Sequence, residues 1–440
     1  MRKIIIIIAM FVLLPVSLAA QTNGSNSSYS RYGIGTLDEQ SQTFNRGMGG
    51  VALGLRSGKC INIQNPASYS AIDSLSFLFD IGMSMQFGHL AGENSSVNVR
   101  NTSLSNVNAG FQVMKGLGMS FGFTPYSSIG YSFYNEGRVG SGYTTSKPIT
   151  TTTSYTGSGG LRQAYIGAGW NPFSNLSIGA NVSYLWGSYE HAMSQIFYEG
   201  SSSSTSYNSQ NNTYLADIHS YKLDLGIQYP IRLNKSDYLT LGATYSLGHN
   251  LGGDATLYRY TSAGDSLTST AKDAFSIPNT FGGGLSWTHD NQWVVAADVT
   301  YEKWGGCKLP IAETTASSIN YNVRDDQYSN RTRYKFGLEY TPNQQNRNKY
   351  LQTVKYRLGF NYSTPYVKVN GAEGPTEYRV TAGLGLPLQS RKLTGRSFVN
   401  ISAEWLLRKA SASNLIDENY LMLNIGVTFN ERWFLKWKIE

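Results

Sequence analysis

The clearest rhythm in the chain begins at Leu75. Leu75, Phe77, Phe79, Ile81, Met83, Met85 and Phe87 are apolar, while Ser76, Asp80, Gly82, Ser84 and Gln86 fall between them. A two-residue period puts the two sets on opposite faces of a β-strand, one oily and one wet. Soluble sandwich strands run to five or six residues, whereas a strand tilted across a bilayer needs about 9–11. The run from Leu75 is too long for a sandwich. The signal then repeats in pairs. Val107, Ala109, Phe111 and Val113 lead to Lys115-Gly116, and Leu117, Met119, Phe121 and Phe123 lead away from it. Ala164, Ile166, Ala168 and Trp170 enter Asn171-Pro172-Phe173-Ser174-Asn175, and Leu176, Ile178, Ala180, Val182, Tyr184 and Trp186 leave it. Both pairs predict hairpins closed by short turns.

Similar runs follow at 215–229, 238–248, 278–288, 292–304, 332–341, 352–364, 377–386, 396–407 and 418–429. The sum is about fourteen strands, the even count that a closed bacterial barrel requires. Long polar connections at 136–158, 200–213, 249–274, 306–330, 365–376 and 408–417 alternate with short ones, so the long loops are expected outside and the short turns in the periplasm. Tyr126, Tyr131, Tyr134, Trp170, Trp186, Trp287, Trp293, Trp304, Trp405, Trp433 and Trp437 fall near predicted strand ends and are expected to form an interfacial girdle. The predicted fold is all-β: a transmembrane antiparallel barrel over residues 74–440, in the outer membrane. Residues 21–73 lack the alternation, are rich in Gly, Ser and Asn, and carry Asn65-Pro66-Ala67. They predict a compact irregular segment.

The start of the chain sets the compartment. Arg2 and Lys3 precede an apolar run from Ile4 to Val16 that ends in Ser17-Leu18-Ala19-Ala20, the order of a secretory signal peptide over residues 1–20. Cleavage is expected after Ala19 or Ala20. Beyond it no apolar stretch is long enough to cross a bilayer as a helix, so any crossing must use strands. The composition agrees, with 31 Tyr, 46 Gly and only 15% charged residues. The net charge is +8, but Lys and Arg are scattered rather than gathered in a stripe, and nucleic-acid binding is excluded as a reading. Cys60 and Cys307 form no ligand cluster and leave open whether they pair.

At this point the residues resemble the FadL/TodX-type outer-membrane channels for hydrophobic compounds. Met48-Gly49-Gly50-Val51-Ala52 followed by Asn65-Pro66-Ala67 resembles that family's N-terminal hatch, which implies a plug inside a fourteen-stranded barrel. Gly122-Phe123-Thr124-Pro125-Tyr126 resembles its third strand, where an inward kink opens the wall. Pro278, Gly282, Asp298, Tyr301, Trp304 and Tyr356-Arg357-Leu358-Gly359-Phe360 fall at further recurring positions. The chain departs from many barrels in ending Trp437-Lys438-Ile439-Glu440 rather than on an aromatic residue, and no residue matches the family's fatty-acid pockets.

The resemblance implies passive uptake of hydrophobic small molecules such as long-chain fatty acids, with outer-membrane lipid and an apolar ligand as partners and no cofactor. The competing expectation is a non-transporting subunit of a secretion or barrel-assembly complex, with outer-membrane protein partners. Proline tolerates a missing ladder donor and glycine unusual backbone angles. Gly122, Pro125, Ser127 and Gly130 are therefore the candidates for a lateral opening, against the plainer expectation that Pro125 ends the embedded part of its strand. Asn65, Pro66 and Ala67 are the candidate hatch motif, against a plain linker turn. No catalytic or metal site is expected. Gly118-Met119-Ser120-Phe121-Gly122 matches a nucleophile elbow only in its letters, since it sits within a strand. Gly54 to Lys59 is one residue short of a phosphate loop. His89, His191, His219, His249 and His289 lack ligand spacing.

Overall fold

The computed structural model describes residues 26–92, 96–138, 149–173, 175–199, 209–314, 319–343, 349–388, 397–410 and 415–432. The signal segment, Trp433 and Trp437 lie outside the described residues. Fourteen antiparallel strands close into a barrel. In chain order they are β1 (Ser76–Ala91), β2 (Ser96–Met114), β3 in two pieces (Leu117–Pro125 and Ser127–Arg138), β4 (Ile149–Phe173), β5 (Leu176–Glu199), β6 (Gln210–Arg232) and β7 (Asp237–Ser246). The circuit continues through β8 (Thr280–His289), β9 (Trp293–Glu302), β10 (Arg331–Tyr340), β11 (Lys355–Ser363), β12 (Thr376–Pro387), β13 (Phe398–Lys409) and β14 (Asp417–Arg432). Pairing of β14 with β1, from Ser76 opposite Arg432 to Ala91 opposite Asp417, shuts the cylinder.

The alternation decides which way each side chain points. Phe121, Ile166, Val182, Leu225, Leu285, Leu358 and Ile425 lie exposed on the outer face, while Asp80, Asn181, Gln228, Asp298, Lys335 and Glu404 are buried on the inner one. No helix among the described residues is long and apolar enough to cross a membrane. An apolar outside around a polar inside satisfies the backbone ring-wise and suits a lipid surround.

The wall is uneven in height. β4, β5 and β6 have 25, 24 and 23 residues, about twice what a bilayer needs, so their outer halves stand beyond the lipid. The polar connection expected over 136–158 is correspondingly shorter, since β3 runs to Arg138 and β4 resumes at Ile149. Its Thr and Ser residues hide strand from a hydropathy reading because that part faces water on one side. The expected loop over 249–274 contains a hairpin, Ala255–Thr261 with Ser266–Ala271, that extends the ladder from β6. That over 306–330 contains another, Leu309–Thr314 with Ile319–Arg324. Beneath them Ile129, Tyr189, Ile218, Leu257, Phe275 and Trp304 form one hydrophobic cluster that covers the outer mouth. Trp304 and Tyr131 are thus buried in this cap and Tyr126 faces the lumen, which corrects the expectation that all three belong to the girdle. Trp170, Trp287, Trp293 and Trp405 do face outward.

Candidate functional site, a plugged lumen and an opened seam

Residues from Ser27 to Ile72 fold against the inward faces of the strands. Short-range turns give this segment its form: a single helical turn at Thr43–Arg46 and a 3-10 turn at Pro66–Ala71. Asn65 caps the second by accepting from the Ala67 N–H at 3.2 Å. Its amide also donates to the Leu53 carbonyl at 2.8 Å and to the Ile227 carbonyl of β6 at 3.1 Å. Three hydrogen bonds from one side chain thereby join turn, plug and wall.

The wall is cut to receive this turn. A Cβ on Gly179 would lie 2.4 Å from the Pro66 carbonyl carbon, one on Gly169 2.3 Å from the Pro66 oxygen, and one on Gly226 2.2 Å from Asn65 Oδ1. On the opposite wall a Cβ on Gly359 would meet the Gly49 nitrogen at 1.9 Å, and Gly49 itself has φ +68°. Only a glycine serves at each point, the wall ones for approach and Gly49 for its backbone angle as well.

Polar anchors complete the attachment. Asp298 Oδ2 of β9 accepts the N–H groups of Ala52 at 2.6 Å and Leu53 at 3.0 Å. Gln228 of β6 donates to the carbonyls of Leu53 and Leu55, both at 3.0 Å, and Tyr69 Oη donates to Asn181 of β5 at 3.0 Å. Charges are paired across the same boundary. Lys335 of β10 holds Glu39 at 2.7 Å and the Gly50 carbonyl at 3.1 Å. Burial alone would raise the Glu39 carboxyl, and the Lys335 and Arg333 cations beside it outweigh this and hold it well below the usual carboxylate range. Around the rest of the lumen Arg333 pairs with Glu302, Arg357 with Glu339, Arg379 with Glu404, and Arg408 with Glu377 and Glu418.

Among the described residues the lumen holds a small cavity of mixed lining. A cavity of about 130 Å³ lies among Asp38, Gln64, Tyr126, Lys222, Glu302 and Arg333. Pockets for drug-sized apolar ligands are mostly hydrophobic and run to about 300–1,000 Å³. This one is smaller than that, and Leu37, Leu53 and Ile63 share its lining with the charged groups.

One seam of the wall is incomplete. β2 pairs with β1 along its whole length, from Ser96 to Phe111, but with β3 only from Val107 opposite Phe123 down to the turn. Beyond that point β3 stays with β4 and leaves β2. Pro125 ends the first piece of β3, the Tyr126 N–H bonds the Leu161 carbonyl of β4 at 2.8 Å, and β3 resumes at Ser127 shifted by one residue against β4. The extra residue bends the strand as a bulge does. The N-terminal segment lies in the gap. Thr36 and Leu37 add two rungs to Ser128 and Ser127. Ser30 Oγ accepts from the Gly130 N–H at 3.1 Å, and Asn26 donates to the Arg100 carbonyl of β2 at 2.9 Å.

The residues singled out from the sequence therefore fall in two places. Asn65, Pro66 and Ala67 sit at the plug's contact with β4, β5 and β6; Pro125, Ser127 and Gly130 line the bend, and Gly122 lies just beneath it, packed on Asn108 of β2. Glu39, Lys335, Asp298 and Gln228 are the anchors that sequence reasoning did not single out as a site. The signal of the three wall residues was a charge or amide on the wet phase of a strand, whereas Glu39 lies in the plug outside any strand. Ser120 of the elbow-like motif bonds Tyr165 in the wall, and the phosphate-loop-like stretch sits on the plug, where Arg56 contacts Gln228 and Ser70. Cys60 and Cys307 are both free thiols, the first in the plug and the second in the outer cap. Among the described residues no cluster of His, Cys, Asp or Glu could hold a metal ion.

The sequence matches the model of one family, BamG, over residues 1–440. The chain belongs to the BamG family. No curated protein matches this chain. Solved structures of similar fold include the Pseudomonas putida toluene transporter TodX, 17% identical, covering 91% of this chain and 100% of its own with a TM-score of 0.59. The Ralstonia pickettii toluene transporter TbuX is 13% identical, covering 89% and 98% with a TM-score of 0.57. A Pseudomonas aeruginosa FadL homologue is 11% identical, covering 88% and 98% with a TM-score of 0.60. The chain thus has the barrel fold of these structures.

Proposed function

We propose that this barrel resides in the outer membrane as a non-transporting subunit of a β-barrel-assembly complex. The observation that carries the reading is the attachment of the plug: it is tied to several strands through buried ion pairs and backbone anchors, and the lumen beside it holds a cavity of only about 130 Å³ bordered by Asp38, Lys222, Glu302 and Arg333. An apolar solute meets charge along that path, and desolvating those charges against it costs several kcal/mol. The family name, BamG, which we read as that of a barrel-assembly-machine component, supports the same conclusion. In this role the barrel is a rigid membrane body whose surfaces matter more than its bore. Depletion tests it. Loss of the protein is expected to lower the folded fraction of other outer-membrane barrels, measured by heat-modifiable migration, while uptake of labelled toluene and fatty acid stays unchanged; the opposite pattern contradicts it.

A second reading is passive uptake of hydrophobic molecules such as long-chain fatty acids, and the opened seam between β2 and β3 favours it, since a wall gap gives a solute a sideways exit. Replacing Pro125 by alanine separates the two. Reduced uptake of a labelled fatty acid supports transport, and unchanged uptake removes the bend from any such path.

A further inference from the structure

The outer cap is apolar, yet β5 carries one ionisable imidazole into it. The alternation that turns Tyr189 inward also turns His191 inward, in the half of the strand that stands beyond the lipid. Only 6% of the residue is exposed. Its ring lies 4.1 Å from that of Tyr189 and 5.5 Å from that of Tyr131 on β3, centroid to centroid. Nδ1 bonds Tyr131 Oη at 2.5 Å, while Nε2 is buried and has no hydrogen-bond partner among the described residues. A neutral imidazole leaves one nitrogen unmet at modest cost. An imidazolium here would bury a charge and an N–H donor with no acceptor.

The surroundings offer that charge nothing. β3 contributes Tyr131 and Phe133, β4 Tyr155, β5 Tyr189, and β6 Tyr214, the cross-strand partner of His191. Tyr321 of the Leu309–Thr314 and Ile319–Arg324 hairpin packs on Tyr214, and Phe275 packs on Tyr189. The plug adds Tyr32 and Arg31, whose guanidinium lies 3.9 Å from the centre of the Tyr155 ring. Burial pushes the phenols of Tyr131, Tyr189, Tyr214 and Tyr321 up, so all stay neutral. Glu190 and Asp217, the carboxylates next to this site in the two strands, are exposed on the outward face. Burial first, and then the Arg31 cation, push His191 down to about 3.

We propose that His191 is an acid-sensitive latch of the outer cap, whose protonation loosens the plug at Arg31 and the hairpin at Tyr321 from the aromatic wall. The proposal goes beyond the subunit reading and stands or falls apart from it. In the closed cap the ring is held neutral; in an opened one it meets water and returns to its ordinary value of 6.5. The closed state therefore keeps the full support of His191 above pH 6.5. It loses that support as pH falls toward about 3, by about tenfold in the opening equilibrium per pH unit. Cys307 reports on this, because it is buried in the same cluster and Cys60→Ser leaves it the only thiol. Its reaction with a dipyridyl disulfide, which works in acid, is timed on the full barrel in detergent at pH 7 and pH 5. Each rate is divided by that of the same barrel carrying His191→Phe, which cancels the pH dependence of the reagent. The ratio is expected to rise more than about tenfold between pH 7 and pH 5. A flat ratio, with both barrels heat-modifiable, overturns the latch. Should His191→Phe fail to fold, the rate is scaled to a small free thiol and the His191 imidazole is followed by NMR in the unaltered ring. A ring still neutral at pH 5 beside a faster Cys307 is expected; a ring that titrates near its ordinary value with Cys307 still protected, or a Cys307 rate that does not rise, overturns the proposal.

Discussion

Lys335 and Glu39 show how single residues hold this molecule together. Each is buried, and each is tolerable there only because the other is present. Removing one member of a buried pair typically costs about 3–5 kcal/mol, much of it the stranded charge, whereas replacing both can be close to neutral. Lys335→Met is therefore expected to lower the urea midpoint of unfolding strongly, and Lys335→Met with Glu39→Gln to recover most of the loss. The pair also has a pH signature. The carboxyl of Glu39 is held below its unfolded range, so its contribution is complete above ordinary carboxylate pKa values and is lost as pH falls toward the depressed folded one. Unfolding midpoints measured between pH 7 and pH 3 should fall less steeply in the double variant than in the unaltered protein. Equal slopes would remove Glu39 from the acid sensitivity.

The elements divide into those that periodicity reveals and those it cannot. Phe77 to Phe87 and Leu176 to Trp186 announce embedded strands because lipid on one side and a polar lumen on the other enforce a strict two-residue rhythm. The outer halves of β4 and β5 lack that contrast, and Ile149 to Ser158 read as loop although they form strand. The plug is legible only as an absence of rhythm with one motif in it. Its seating depends on glycines in strands far away in sequence, and nothing local to Gly169, Gly179 or Gly226 says that Pro66 and Asn65 will press against them. Gly179→Leu is expected to push the Asn65-Pro66-Ala67 turn off the wall. Single-channel conductance in a planar bilayer should then rise, while Ala180→Leu, on the outward face, should leave it unchanged. Deletion of residues 22–64 belongs to the same series and should give the larger increase. Pro125 stands in the sequence as the candidate for a bend and a lateral opening, but which neighbour β3 follows past it is no local property of Pro125.

Across the whole molecule the charged lumen contrasts with the toluene transport for which its fold relatives are named. A barrel with the fold of toluene transporters surrounds ion pairs, anchored backbone and a cavity of about 130 Å³. Its long strands carry structure well beyond the bilayer, and a hydrophobic cluster packs among the described residues of its outer end. A solute path would have to break several of these contacts at once, whereas a scaffold needs all of them intact. The composition of the particle that this protein forms in its own membrane tests that distinction most directly. Native mass spectrometry after mild-detergent extraction should give a fixed stoichiometry with the central insertase of barrel assembly and no retained hydrophobic compound. A lone barrel carrying a fatty acid or an aromatic hydrocarbon would contradict it.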